Sequence, residues 1–268
     1  MAFDVSVVTR CEDWVRAAPS LRSALAQDGV DIELVVANRL GPERPPESLP
    51  ELRDQRAVVL SNAGLAGLTA DRNRGLRAAR GGWVAFLDEG DLWAPEHLRG
   101  LVDVCTAAGA DFGCSASWVL GEDRQIHGHR ATPRPAELAD AVLSGAHVPS
   151  PSVVIAHHTL VQRGGGFDEW LGPLAAWDLW IRWSRCAAAW QPHDVPSAAV
   201  IAPAPPDPRV LRAELRELGR RYGGDARAVG ERFGRAYGTS DPAPTAAAQG
   251  PAPWLARFLE PTRRTVRR

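Results

Sequence analysis

The chain has 268 residues and a formal net charge of −1, with arginine for every basic residue apart from histidine. That length can bury a sizeable core as one large domain or a domain with an appendage. Near-neutrality argues against a nucleic-acid binder, and no apolar run reaches membrane-span length.

Residues 5–8 predict a first strand, reached without a secretory leader. Pro19 and Ser20 open a helix over 19–27, with Leu21, Ala24 and Leu25 on one face. Strands are expected at 32–37 and 57–60, around a loop rich in Pro and Glu at 41–50. A glycine-containing loop and a helix through Arg72 and Gly75 precede the apolar run Trp83 to Leu87, bounded by glycines and by acids. A helix over 95–108 and a strand over 111–120 follow. Residues 121–135 read as a polar loop, where His127 and His129 are surface residues rather than a metal site. Residues 152–156 predict a strand, and His157-His158 the start of a helix. A triple-glycine turn at 164–166 precedes a tryptophan-rich helix, Ala175 to Cys186. Beyond a proline-rich break at 203–208, helices are expected at 208–222 and 225–237, then a Pro/Ala-rich linker and a basic tail. The alternation of strands and helices predicts an α/β fold whose first half is a parallel, doubly wound sheet.

The four cysteines, Cys11, Cys105, Cys114 and Cys186, show no CxxC pair or zinc spacing and read as buried thiols of a reducing cytoplasm. Gly64 and Gly75 permit close backbone approach. Asp88, Glu89 and Asp91 follow the end of a buried parallel strand, where open α/β sheets bind ligands. A hard divalent cation with a diphosphate suits such carboxylates.

The ordered series Asn62-Ala63-Gly64, Arg72-Asn73-Arg74-Gly75, Gly82, and Leu87-Asp88-Glu89-Gly90-Asp91 with Trp93 and Pro95 resembles the family 2 glycosyltransferases. So do Gly165-Gly166-Phe167-Asp168-Glu169 and Trp177-Asp178-Leu179-Trp180-Ile181-Arg182. The resemblance runs from about residue 5 to about residue 200. It implies a GT-A fold, a Rossmann-like doubly wound mixed sheet with helices on both faces, here with a helical C-terminal appendage. The expected divisions are 1–202 for that domain, 203–237 for the appendage and 238–268 for linker and tail. It further implies a nucleotide diphosphate sugar as donor, bound by Asn38, Asn62, Arg72 and Asp88. A divalent cation (Mg or Mn) on Asp88 and Asp91 neutralises the leaving group. An acceptor hydroxyl, deprotonated by a carboxylate, attacks in line and inverts the anomeric carbon.

Three positions depart from the family pattern. Where the family ends its second strand with paired aspartates, this chain reads Val36-Ala37-Asn38-Arg39, so the acidic charge is gone. Gly90 replaces the middle aspartate of the acidic motif. Ala175-Ala176 replace the Glu-Asp pair that holds the base, and alanine cannot accept a proton. Asp178 and His193 are then the candidates for the catalytic role, Asp178 also being suited to the helix dipole. Trp180 belongs to the core, while Trp177 either stacks on a sugar in the cleft or packs inside. Two readings follow: a cytoplasmic glycosyltransferase with an unknown acceptor, or a degenerate relative that binds a sugar nucleotide or a partner as a scaffold. The basic tail either touches an anionic membrane surface or a protein, or stays solvated.

Overall fold

Four apolar runs build one half of the sheet, because each is apolar on both faces and bounded by polar residues or glycine. They are β1 (Val5–Cys11), β2 (Ile32–Asn38), β3 (Ala57–Ser61) and β4 (Trp83–Leu87). These strands pair in parallel in the order β3-β2-β1-β4. The structure, a computed structural model, describes residues 3–39, 49–61, 67–121, 123–134, 137, 140, 148–202, 204, 206–222 and 254–255.

Helix α1 (Trp14–Leu25) joins β1 to β2, and α2 (Leu68–Ala78) lies between β3 and β4. The strand order therefore reverses at β1, and the right-handed crossover rule puts α1 and α2 on opposite faces. The crevice between the carboxyl ends of β1 and β4 is the topological switch point.

The other half is mixed. β8 (Val154–His157) runs antiparallel to both β4 and β6 (Phe112–Leu120). β6 runs parallel to the long strand β9 (Trp190–Ile201), and β5 (Leu92–Trp93) closes the far edge against β9. Helix α3 (His97–Ala108) packs on β6 and β9 and stops at Gly109, which takes the left-handed conformation (φ 62°) that glycine tolerates. Helices α4 (His158–Gly164) and α5 (Ala175–Cys186) pack together, and α6 (Pro208–Tyr222) covers α5 from the outside.

Several elements differ from the sequence expectation. Helix α1 begins at Trp14, not Pro19, because the Asp13 carboxylate accepts hydrogen bonds from the Val15 and Arg16 N–H groups and caps the helix there. Pro19 is tolerated inside because the carbonyl it leaves unpaired belongs to the exposed Val15. The polar loop expected at 121–135 contains a strand, β7 (Ile126–Arg130), on the second half of β6. It is an edge strand with Gly128 at its centre, so it carries little β-propensity of its own. There His127 pairs with Asp123 and His129 lies edge-on to Trp118. Cys11, Cys105 and Cys114 are buried, but Cys186, at the end of α5, is exposed. The helix expected at 225–237 lies outside the described residues.

The core fills the space between sheet and helices. Trp177, Trp180 and Trp183 are all buried, although three-residue steps drift around a helix. The reason is that α5 is covered on several sides. Phe86 and Phe112 meet Trp180 and Trp183 from the sheet, and Leu215 and Leu218 of α6 belong to the same core. Burial of each such aromatic side chain contributes roughly 1.5–3 kcal/mol. A second apolar cluster forms from Leu92, Trp118, Leu120 and Ala199, and Leu255 is fully buried in it. Leu255 thus packs against the sheet at this point. Among the described residues no helix is long and apolar enough to cross a membrane.

Candidate active site

A cavity of about 720 Å³ opens at the switch point, lined by Arg10 and Glu12 at the end of β1, Arg72 of α2, Asp88, Glu89 and Asp91 after β4, and Arg130 of β7. Gly172, Pro173 and Ala176 form a wall ahead of and within α5, and Val200 and Ile201 come from the end of β9. The cavity therefore combines groups from both halves of the sheet.

Its centre is the contact between Arg72 and Asp88. Arg72 is 6% exposed, hydrogen-bonds through Nη2 to the Asp88 carboxylate, and stands 5.2 Å over the Phe167 ring. Asn73, its neighbour, donates to the Phe167 carbonyl (2.8 Å) and to Glu169 Oε1 (2.9 Å), and accepts from the Phe167 N–H (2.7 Å). The Arg-Asn pair, the acidic motif and the Gly-Gly-Phe-Asp-Glu segment, far apart in sequence, thus form one physical unit. Gly75 lets α2 approach β1: a Cβ there would stand 2.3 Å from Val8 Cγ1.

The three acids do different work. Glu89 Oε2 accepts the N–H groups of Glu12 (2.8 Å) and Asp13 (3.1 Å), satisfying backbone at the entry to α1. Asp91 is almost fully buried and accepts the Ile201 N–H at 2.8 Å. Burial, and then the charge of Asp88, push its carboxyl above the usual range, against the pull of Ser152 and Ile201. Asp88 alone keeps about a third of its side chain exposed to the cavity. The loop bearing these acids is pinned by the Asp88 N–H on Ser152 Oγ (2.9 Å), the Gly90 N–H on Ser20 Oγ (2.8 Å) and Trp93 Nε1 on the Ser152 carbonyl (2.6 Å).

Gly90 has a local reason. Its φ of 95° suits glycine, and a Cβ there would lie 2.6 Å from Ile201 Cδ1. At the other departure, Arg39 pairs with Glu12 (2.6 Å) and with the buried Asp71 of α2 (3.4 Å). A carboxylate from the helix thus meets the arginine that follows the altered strand end.

The remaining sequence candidates fall elsewhere. Asn38 is buried at the end of β2, between Cys11 and Ser61 in the ladder, and is not on the cavity wall. Asn62 and Gly64 lie outside the described residues. Asp178 is fully buried: it accepts from Arg182 Nε (2.9 Å) and from the Tyr222 hydroxyl (2.6 Å), with Arg221 at 3.5 Å. That bond to the carboxylate, after burial itself, pushes the Tyr222 phenol up to about 12. His193 packs against Gly100 of α3, behind β9, where burial lowers its pKa. Neither Asp178 nor His193 lines the cavity. Residues that sequence reasoning passed over do line it: Arg10, Glu12, Arg16 and Arg130. Also unforeseen was Glu214 of α6, whose carboxylate accepts the N–H groups of Gly172 (2.7 Å) and Leu174 (2.9 Å) and so holds the wall from behind.

This architecture is that of the GT-A glycosyltransferases. TarS of S. aureus (residues 1–349), in its complex with UDP, superposes with a TM-score of 0.65 at 16% identity, covering 87% of this chain and 70% of that one. Its complex with UDP-GlcNAc gives 0.63, with 87% and 71% covered. Residues 5–155, more than half of the chain, match the family described as Glycosyl transferase family 2, and the chain belongs to that family. The succinoglycan biosynthesis protein ExoO of Rhizobium meliloti (strain 1021) is 34% identical over 110 residues, 41% of this chain and 31% of its own. The UDP-Glc:alpha-D-GlcNAc-diphosphoundecaprenol beta-1,3-glucosyltransferase WfaP of Escherichia coli is 27% identical over 88 residues, 33% of this chain and 34% of its own. The matches span about a third of the length of these curated relatives.

Proposed function

We propose that the protein transfers a sugar from a nucleoside diphosphate donor to an acceptor, with inversion at the anomeric carbon. The observation that carries this reading is the Arg72–Asp88 pair, half-open to a cavity at the switch point of the sheet. The complexes of TarS with UDP and UDP-GlcNAc, and the UDP-Glc donor in the name of WfaP, support a nucleotide sugar as the donor class.

Arg10, Arg16, Arg72 and Arg130 line the cavity and suit a diphosphate, because guanidinium groups bind phosphate oxygens in pairs. Among the described residues no cluster of three or more His, Cys, Asp or Glu side chains gathers in a metal-ligating arrangement. A magnesium or manganese ion would therefore take one or two carboxylates and complete its shell with phosphates and water. Asp88 and Asp91 fit that role: they are close enough for the charge of Asp88 to raise the Asp91 pKa, a repulsion that a cation between them relieves. Such an ion supplies charge neutralisation of the departing diphosphate. The acceptor enters along the wall of Gly172, Pro173 and Ala176, opposite Asp88, and the two substrates are held together by position. Ala176 presents a methyl group there, so the acceptor proton leaves to a group other than the first turn of α5.

Calorimetric titration with UDP, GDP and dTDP, each with and without manganese, tests the reading. The expected result is manganese-dependent binding of one nucleotide, lost in Asp88→Ala. No binding of any of the three overturns it and leaves a scaffold with the family fold.

A further inference from the structure

Trp170 is 93% exposed, although the loop that carries it is firmly held. Phe167 is fixed on Asn73 by both its N–H and its carbonyl, Asp168 on Arg221 (2.6 Å), and Gly172 on Glu214 (2.7 Å). The Trp170 N–H itself donates to Asp168 Oδ1 at 2.9 Å. A large aromatic surface is thus presented on a backbone already ordered, so a ligand that meets it faces little further entropy cost. Gly172 and Pro173 line the cavity. Two trans peptide steps put the Cα of Trp170 within about 8 Å of that of Gly172, which lines the cavity. Single exposed apolar residues are common on protein surfaces. A held backbone two residues from the cavity lining sets this one apart.

We propose that Trp170 is a stacking platform for the sugar ring of a saccharide acceptor, an assignment that rests on the glycosyl-transfer reading above. A pyranose has an apolar C–H face that lies flat on an indole, and hydroxyl groups at its edge that seek hydrogen-bond acceptors. The exposed Glu169 precedes Trp170 and, with Oε1 held by Asn73, supplies Oε2 for those hydroxyls. Its charge disfavours an anionic membrane surface. The tryptophans of α5 are all buried, Trp177 included at 3% exposed, so the stacking role considered for Trp177 passes to Trp170.

Because the indole is solvated, Trp170→Ala leaves the fold intact, which an unchanged thermal midpoint checks. Cellobiose and chitobiose serve as probes. With the protein labelled at its indole nitrogens, the Trp170 resonance, identified by its loss in Trp170→Phe, shifts on addition of either disaccharide, without any donor. In transfer assays with the same disaccharides, Trp170→Ala raises the acceptor KM about tenfold, the size of one aromatic contact. Trp170→Tyr restores most of it, and the UDP affinity is unchanged. An indole resonance that moves with neither disaccharide overturns the proposal. So does one that moves only with phosphatidylglycerol vesicles, which would assign the residue to a membrane contact. Failure of wild-type protein to bind any nucleotide counts against the transfer reading alone, since the indole shift is read in the absence of donor.

Discussion

The two sides of the cavity have diverged by different routes. On the side of β1 and β4, Arg72, Asn73 and Asp88 form one bonded unit, although Gly90 and the end of β2 depart from the family pattern. On the side of α5 the acidic pair of that pattern is absent. Ala176 faces the cavity, Asp178 is locked under Tyr222, and a carboxylate from a later helix, Glu214, holds the wall. On the proposed reading, the first side meets a diphosphate of fixed geometry and the second meets whichever molecule receives the sugar, so the second has more freedom to vary.

The sharpest break of this comparison is Asp88→Ala. It removes the open carboxylate and leaves Arg72 buried without its partner, so turnover falls by about 10²- to 10³-fold and manganese-dependent nucleotide binding disappears, read by calorimetry. Next comes Gly90→Asp, which restores the family acid. The positive φ and the overlap with Ile201 make it destabilising by about 2–4 kcal/mol in urea unfolding, with no gain in manganese affinity. On the other side, Glu214→Ala strands two backbone N–H groups and costs about 1–3 kcal/mol. Acceptor KM rises while UDP affinity stays constant, and Glu214→Gln recovers part of the loss because its amide retains one acceptor oxygen. Equal damage to both substrates would dissolve the distinction between the sides.

A separate effect, away from the cavity, is a pH dependence behind β9. His97 is fully buried, stacked on Trp93, and bonded to Ser197 at 2.8 Å. Burial, and then His193, lower its pKa from 6.5 to about 3. The folded state therefore binds fewer protons than the unfolded one between those values. This contribution to stability is complete above about pH 6.5 and is lost as pH falls toward 3. Thermal midpoints measured across that window decline, and His97→Gln flattens this part of the decline.

The elements that sequence predicted well are those whose signals are local. The run Trp83–Leu87, the helix Ala175–Cys186 and the helix Pro208–Tyr222 fall where hydrophobic period and punctuation place them. The parallel pairing of the first half followed from alternation of strands and helices. The elements it missed are non-local. β5 is two residues long and exists only against β9. β7 is a weak strand that β6 holds in place. β9 slips its register between His193 and Ala198, which no periodic pattern announces.

For the site the division is the same. The sequence by itself determined the family and singled out Arg72, Asp88, Glu89 and Asp91, which line one cavity, because a ligand-binding strand end draws such residue types at short spacing. Which of the acids keeps the most exposed carboxylate was decided by tertiary structure alone. Glu89 is spent on the N–H groups of Glu12 and Asp13, Asp91 on that of Ile201, and both partners arrive from distant chain. Tertiary structure also buried Trp177 and exposed Trp170, two aromatics that look alike in sequence. A side chain's surroundings are set by what packs around it, and here α5 received a helix above and a sheet below, while the Trp170 side chain received neither.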